Sequence, residues 1–474
     1  MRLKLMKRKI ITRNDKGGKM AKVDPVKKER MDNSDKLLLL LAIILGVAAF
    51  FWTATSTLNN FIKAPLILLI LFTSGNLISR FGKLENYYGI IILRGEKGFS
   101  AMRYFARHPK LMRALADFGL SLGFGMIYGF LIYRKNILKF LSHLIIVSAI
   151  FGLLLAGSNI TIFGDELKSF ILPAIGVLGG LLAFGIASLL IQALNILTVP
   201  GSTAGAALVV PGVTIPFWEG LIAIIIAATI HEVAHGILAM VEKLEVKNSG
   251  AILFGVLPVG AFVEPNEQKL AKMKIQQKRR ILIAGTTSNF MLFLLLVPLT
   301  NFLWAPYVMG FSDGIRITGF GKDAVANGIL KVGDIVQGID GKAMNTLEEF
   351  RTYMATKKEG ETVSLMMASG ARNVVLGKDG KLGITMENYF PKDDGYVATL
   401  LFITSTLGLI MLINFALAVI NLVPIFLTDG YRLVFEEAKE LFPSRNDSFA
   451  KRIAIVAGAL SVILLLINFI PSFS

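Results

Sequence analysis

The sequence predicts a polytopic α-helical membrane protein with about nine spans and a small inserted β-rich domain. Three observations predict this class: 54% of the 474 residues are apolar, the mean hydropathy is +0.63, and runs long enough to cross a bilayer recur along the chain. A soluble protein of this length does not repeat such runs. We expect spans at about 37–57, 61–79, 114–133, 137–157, 170–198, 216–240, 281–303, 398–424 and 453–470.

The distribution of charge predicts how the chain is oriented. The 50 Lys and Arg residues exceed the 33 Asp and Glu residues, and much of the excess lies in residues 1–36, before the first predicted span. A basic tail of this kind stays on the cytoplasmic side. We therefore expect a multi-pass protein of the cell membrane, with a cytoplasmic N-terminus, the lipid bilayer as its surroundings and no nucleic-acid partner.

Changes in composition divide the chain into six segments. They are a basic cytoplasmic tail (1–36), an N-terminal transmembrane bundle without an evident role (37–198), a membrane core with a cytoplasmic hairpin (199–310), an extracytoplasmic β-rich domain (311–388), a second membrane core part (389–440) and a C-terminal segment with the last span (441–474). The polar, basic stretch 80–113 is expected to be a loop between the second and third spans.

The run Phe217 to Val241 carries ionisable residues where lipid would surround it. His231 and His235 are four residues apart and share one face of a helix, and Glu232 is turned about 100° from His231. This HExxH pattern is typical of a catalytic zinc site, in which two imidazoles bind the metal and the glutamate is the general base. The chain has no cysteine, so any zinc ligand must be histidine or carboxylate. The alternative is a pair of hydrogen-bonded core histidines.

The segment after the predicted span 398–424 contains the candidate third ligand. We expect Asp429 to close a helix broken by Pro424, and Asn421 lies eight residues before Asp429. A carboxylate at the end of an apolar run needs a cation or a charged partner. The alternative is that Asp429 and Gly430 form a solvent-exposed turn.

Two further stretches flank the candidate site. The stretch around Pro258 and Gly260 alternates small and apolar residues, which predicts a hairpin whose free edge can pair with an unwound substrate. An ordinary packed loop is the alternative. Asn289 is polar within the predicted span 281–303, where it either joins helices or serves the site.

Residues 311–388 change to the pattern of a soluble domain. Short alternating strands are expected at Ile315 to Thr318, Ile335 to Ile339 and Val363 to Met367, with a helix from Thr346 to Lys357. The order of glycines, strands and helix resembles a PDZ domain of the bacterial protease-associated type. That resemblance implies recognition of an extended peptide by strand addition. An unrelated β-rich domain without a ligand is the alternative.

HEVAH in one span, Asn-x-x-Pro-x-x-x-x-Asp-Gly in a later one and the PDZ-like insert between them resemble the site-2 protease family of intramembrane zinc metalloproteases. The resemblance covers roughly 210–440. It implies Zn²⁺ as cofactor and membrane-anchored proteins as substrates in regulated intramembrane proteolysis. The residues it implies are His231, His235 and Asp429 as metal ligands, Glu232 as the catalytic residue, and Asn421, Asn289 and Gly260 as substrate-positioning residues.

Two other classes of function remain at this stage. A transporter or a cation- or proton-conducting protein can place the same ionisable residues along a path through the membrane. A catalytically inactive scaffold can use the PDZ-like domain alone. Retention of metal with loss of cleavage in Glu232→Gln separates a protease from both.

Overall fold

The computed structural model describes residues 32–472 except 59, 96–98, 134–135, 157–171, 208, 322–323 and 392. The predicted basic tail 1–36 therefore lies almost wholly outside the described residues. The N-terminal part contains the helices α1 (Asn33–Thr55), α2 (Asn60–Gly82), α3 (Phe99–Ala106), α4 (Pro109–Tyr133), α5 (Ile137–Ala156) and α6 (Leu172–Thr198). The C-terminal part contains α7 (Phe217–Val241), α8 (Glu267–Ala271), α9 (Ile275–Pro298), α10 (Ala305–Met309), α11 (Leu347–Met354), α12 (Gly395–Ile420), α13 (Asp429–Leu441) and α14 (Asp447–Phe469).

Eight helices of the described chain are long and apolar enough to cross a membrane. They are α1, α2, α4, α6, α7, α12, α14 and one composite helix in which α9 continues through the π-helix Leu299–Trp304 into α10. The apolar helix α5 lies at the fourth predicted span, and its stretch Ile137–Gly152 is shorter than the other eight. Helices satisfy their own backbone hydrogen bonds, as a lipid environment requires. The predicted class, a polytopic helical membrane protein with a β-rich insert, is confirmed.

The helices α4 and α6 cross at two glycines that interrupt their helical geometry. Gly125 has φ 77° and Gly180 has φ 72°. A side chain on Gly125 would collide with the backbone of Leu178, and one on Gly180 would collide with the backbone of Gly123. The two helices therefore touch backbone to backbone, which only glycine permits.

A four-stranded antiparallel sheet lies beside the ends of the spans. Its strands are β1 (Glu85–Tyr87), β2 (Ile90–Gly95), β3 (Val246–Phe254) and β4 (Leu257–Pro265), in the order β1-β2-β3-β4. The predicted hairpin is thus present as β3 and β4. The stretch 80–113 connects α2 to α4 as expected, and it contributes β1 and β2 to this sheet, where β2 pairs with β3 from Ile90↔Phe254 to Gly95↔Ser249. The edge strands of the sheet are β1 and β4, and β4 lies against α7.

The inserted domain is a six-stranded antiparallel sheet with one helix. Its strands are β5 (Ile315–Phe320), β6 (Ile335–Ile339), β7 (Lys342–Ala343), β8 (Thr362–Met367), β9 (Gly370–Val375) and β10 (Ile384–Asn388), in the order β10-β5-β6-β8-β9 with β7 beside β6. The three predicted strands and the predicted helix are confirmed. Thr346 and Glu349 form a capping box at the start of α11, which explains where this helix begins. Val336, Val363 and Leu365 are fully buried in the core of the sheet.

Candidate metal centre

The helix α7 presents two imidazoles on one face. His231 and His235 are one turn apart, and their Nε2 atoms are 3.2 Å from each other. His231 is buried, with 7% of its surface exposed. The two Nε2 atoms therefore face one point at which both can bind a single cation.

The third candidate ligand, the carboxylate of Asp429, lies where the chain passes from α12 to α13. The helix α12 ends at Ile420, and the amide of Gly430 returns to donate a hydrogen bond to the carbonyl of Asn421 at 2.7 Å. A side chain at Gly430 would collide with the carbonyl of Leu422, so the Asp-Gly pair needs its glycine. One detail of the prediction is corrected: Asp429 does not close the preceding helix but is the first residue of α13, where Thr428 is the N-cap.

The three side chains converge on one point. Oδ2 of Asp429 lies 3.1 Å from Nε2 of His231 and 3.1 Å from Nε2 of His235. Zinc with bonds of about 2.0–2.1 Å in a tetrahedral arrangement keeps its ligand atoms about 3.3 Å apart. The observed separations are close to that value, so the donor set fits a zinc ion with a fourth position left for water. Among the described residues, this is the one group of three such side chains that can hold a metal.

The outer nitrogen of each imidazole has a partner that orients the ring. Nδ1 of His235 lies 2.7 Å from the carbonyl oxygen of Ile281, which requires the proton on Nδ1 and leaves the lone pair of Nε2 for a metal. Nδ1 of His231 lies 3.5 Å from Nδ2 of Asn289, and Oδ1 of the same amide has no partner among the described residues; with the amide turned over, Oδ1 would accept the proton of Nδ1 and leave Nε2 for a metal. Asn289 is fully buried. The position of Asn289 differs from the predicted contact with substrate, because it lies behind a ligand ring and away from any surface.

The helix α9 approaches the ligands through a glycine. A side chain on Gly285 would collide with Cε1 and Nε2 of His231 and with Nε2 of His235. The absence of a Cβ atom therefore allows α9 to lie directly against the metal site. This close approach also brings Ile281 and Asn289 within reach of the rings.

Glu232 lies beside the three ligands in a cavity of about 250 Å³. The amide of Val263 in β4 donates a hydrogen bond to Oε2 of Glu232 at 3.2 Å. Arg432, one turn after Asp429, lines the same cavity and forms an ion pair with Glu267 at 3.3 Å. The carboxylate of Glu232 is thus held at the wall of a polar cavity, where it can exchange protons with water.

The two remaining predicted residues, Gly260 and Asn421, are not among the residues that line this cavity. Gly260 in β4 packs against Ala228, one turn before Glu232 on α7. Asn421 is half-buried at the C-terminal end of α12, and its side-chain amide has no hydrogen-bond partner among the described residues. Neither residue belongs to the group of converging ligands.

The helix α4 is joined to the core around the site by charged groups. Asp117 accepts two hydrogen bonds of 2.7 Å from Arg280 of α9, and Arg113 pairs at 2.9 Å with Glu242, which follows α7. Burial raises the pKa of the Glu242 carboxyl, but hydrogen bonds from Arg113 and Gln277 outweigh this effect and hold the pKa below its usual value. Glu242 is therefore an anion that links three helices.

Two further ion pairs hold α13 against α9. Lys278 pairs with Glu436 at 2.8 Å, and Arg279 forms two hydrogen bonds of 2.6 Å with Glu437. The hydroxyl of Tyr128 in α4 donates to Glu437 at 3.2 Å. Because α13 begins with Asp429, these contacts determine where that carboxylate points.

Sequence analysis missed several contributors to the site. The amide of Val263 and the carbonyl of Ile281 are backbone groups, which leave no signature in the sequence. Gly285 was visible only as a small residue within a span. Arg432 had a usable signal, since it lies three residues after Asp429 and so on the same side of a helix.

Comparison with known proteins agrees with this geometry. The family described as Peptidase family M50 matches residues 219–471. The uncharacterized protein MJ0971 of Methanocaldococcus jannaschii is 32% identical over 288 residues, which is 60% of this chain and 73% of the relative.

Proposed function

Because this chain belongs to peptidase family M50, we propose that it is a zinc endopeptidase that cleaves other membrane proteins in or near their membrane-spanning segments. One observation carries the proposal: the ligand atoms of His231, His235 and Asp429 lie within 4.8 Å of one another, beside a cavity lined by Glu232. Zinc bound there supplies a Lewis acid that polarises the scissile carbonyl and lowers the pKa of a coordinated water.

Residues of this chain bind the metal, transfer the protons and position the catalytic carboxylate. The two imidazoles bind through Nε2, because both Nε2 atoms face Oδ2 of Asp429 and Nδ1 of His235 donates to the carbonyl of Ile281. Glu232 takes a proton from the attacking water and then donates it to the leaving nitrogen. The amide of Val263 binds one oxygen of that carboxylate and so keeps the carboxylate turned toward the cavity.

We propose that the substrate binds along β4 in an extended form. A helical substrate hides its carbonyls in internal hydrogen bonds, so it must unwind before hydrolysis. The free edge of β4 offers the unwound segment new backbone partners, and Gly260 lies on that strand. The unpartnered side-chain amide of Asn421 is suited to bind the substrate backbone or the developing oxyanion.

The inserted domain is the second part of the molecule to which we assign a function. We propose that residues 311–388 bind a peptide or a trimmed chain end at the free edge of β10, next to α11, where the Leu347 amide donates to the side chain of Asn388 at 2.6 Å. With a cytoplasmic N-terminus and α5 counted as a crossing in addition to the six spanning helices before this domain, seven crossings lead to it, so we expect it outside the cytoplasm. It would then select membrane-anchored substrates for regulated intramembrane proteolysis.

The decisive experiment uses the purified full-length protein in detergent with a membrane-spanning peptide interrupted by Gly and Pro. We expect cleavage within the apolar segment, loss of cleavage with a chelator and recovery with zinc. Glu232→Gln should retain its metal and lose at least about 100-fold in rate. Glu219→Gln, which removes an acid from the first turn of the same helix, is the matched control.

Two results would contradict the proposal. Cleavage by Glu232→Gln at the rate of the control would exclude Glu232 as the base. Absence of cleavage in every form, together with a Glu232-dependent cation flux across proteoliposomes, would favour the transporter instead.

A further inference from the structure

A large basic cavity lies at the end of α7, outside the metal centre. Its volume is about 740 Å³. Its lining includes Arg103 in α3, Arg107 just after α3 and Lys243 just after α7. The cavity lies between the last turn of one spanning helix and the segment that precedes another, α4. Both neighbouring spans end at this level, so the cavity is at the membrane surface.

The positive charge of this cavity is not neutralised within the described part of the chain. No described acidic group forms an ion pair with any of its three cations. The one acidic residue in the lining, Glu245, is paired with Lys269 at 2.6 Å and accepts a further hydrogen bond from Asn266. All three cations are exposed and free to bind an anion.

Lys243 has a backbone conformation that ordinarily selects glycine. Its φ is +61°, and the amides of Lys243 and Leu244 donate to the carbonyls of Met240 and Ala239, which closes α7 in a Schellman motif. Glycine fills this position at the lowest steric cost. A lysine here is strained, and its side chain reaches the basic cavity, which points to a role for the charge.

The helix α3 has the character of a helix that lies in the membrane surface. Met102 is fully buried, whereas Tyr104 and Phe105 are exposed on the same short helix. Aromatic side chains with neighbouring arginines are typical of the boundary between lipid tails and headgroups. An acyl chain next to this helix would place its phosphate at the level of Arg103 and Arg107.

We propose that this cavity binds the headgroup of an anionic phospholipid through Arg103, Arg107 and Lys243. Arginine is suited to phosphate because its planar guanidinium donates two parallel hydrogen bonds. The cavity is broad and open to solvent, so it would hold a headgroup at the surface rather than enclose it. The bilayer supplies this ligand at high local concentration, which favours a lipid over a soluble phosphate.

The helix α3 at the cavity packs directly against α7, which carries two of the candidate metal ligands. Met102 lies against Gly236, where any larger residue would collide with its sulfur, and Gly236 follows the ligand His235. A headgroup held by Arg103 therefore fixes α3 against the part of α7 that carries the ligands. This inference does not depend on the reaction proposed above.

The test measures lipid binding to the full-length protein in a nonionic detergent by native mass spectrometry. The probes are phosphatidylglycerol, phosphatidylcholine and free glycerol 3-phosphate. Each of the three cations is expected to raise the affinity for phosphatidylglycerol about fivefold. The triple variant R103Q/R107Q/K243Q should therefore bind this lipid about 100-fold more weakly. The control K247Q/K272Q/K274Q removes the same charge from exposed lysines outside the cavity, one in β3 and two between α8 and α9, and should retain binding.

Each outcome decides the proposal. Preferential binding of phosphatidylglycerol that is lost in the triple variant and kept in the control supports it. Equal binding of the two lipids, or unchanged binding in the triple variant, overturns it. Displacement of the lipid by millimolar glycerol 3-phosphate assigns the cavity to a soluble phosphate and also overturns it. A charge-conserving variant, R103K/R107K/K243R, should retain binding and so separates loss of charge from loss of folding.

Discussion

Substitution of Gly285 by alanine is the sharpest test of the metal centre. An added Cβ atom would overlap both imidazoles, so the nearest ring atoms must move by about 1 Å to reach ordinary van der Waals separation. Metal–ligand distances tolerate only about 0.2 Å. We therefore expect Gly285→Ala to lower zinc affinity about 100-fold and to lower any cleavage accordingly.

The control for this variant is Gly408→Ala in α12. No heavy atom lies within 4 Å of a Cβ added at Gly408, so this change affects only helix propensity, which improves by about 0.5–1 kcal/mol. The assay is zinc content after dialysis against a competing chelator, with the folded state checked by size-exclusion chromatography. If Gly285→Ala keeps zinc as tightly as Gly408→Ala, then α9 does not lie against the ligands and the reasoning fails.

Three further predictions follow from the contacts around the site and in the inserted domain. Glu437→Gln leaves the charge of Arg279 without its partner and should lower the free energy of unfolding by about 3–5 kcal/mol. The exchange R279E/E437R should recover most of this loss, as measured by thermal unfolding. Asn289→Ala should lower zinc affinity about 10- to 100-fold in chelator competition, because one ligand ring loses its orienting partner; unchanged affinity would show that the ring is held by packing alone. A hydrogen bond from Lys357 lowers the pKa of Asp340, so the stabilisation is present at neutral pH and is lost as pH falls below about 4. Hydrogen exchange of the inserted domain should show this acid-side loss in the wild type and not in Asp340→Asn.

The metal ligands were predictable because their signals are local. The spacing of His231 and His235 requires only the period of a helix, and the motif around Asp429 marks a break in an apolar run. The resemblance to the site-2 protease family connected the two motifs, and the match to Peptidase family M50 confirms that resemblance. Their convergence within hydrogen-bonding distance depends on packing that neither motif describes.

The β-sheet beside the site shows what a single sequence conceals. The strand Ile90–Gly95 is six residues long, and its partner Val246–Phe254 lies far along the chain. Alternation over six residues predicts a strand only weakly, and nothing local specifies so distant a partner. The charged contacts of α4 were similarly hidden, although Asp117 within an apolar run did indicate a buried acid in need of a cation.

The contacts of α4 set a limit on how the chain can be shortened or recombined. A fragment starting at residue 199 would retain all three metal-binding side chains, but Arg280 would lose its bidentate carboxylate and Glu242 would lose Arg113. In such a fragment those charges would face lipid. A chimera that replaces the N-terminal spans would therefore need an acid at position 117 and a base at position 113. The unit that keeps these ion pairs therefore begins at α4, upstream of residues 219–471, which the family model matches.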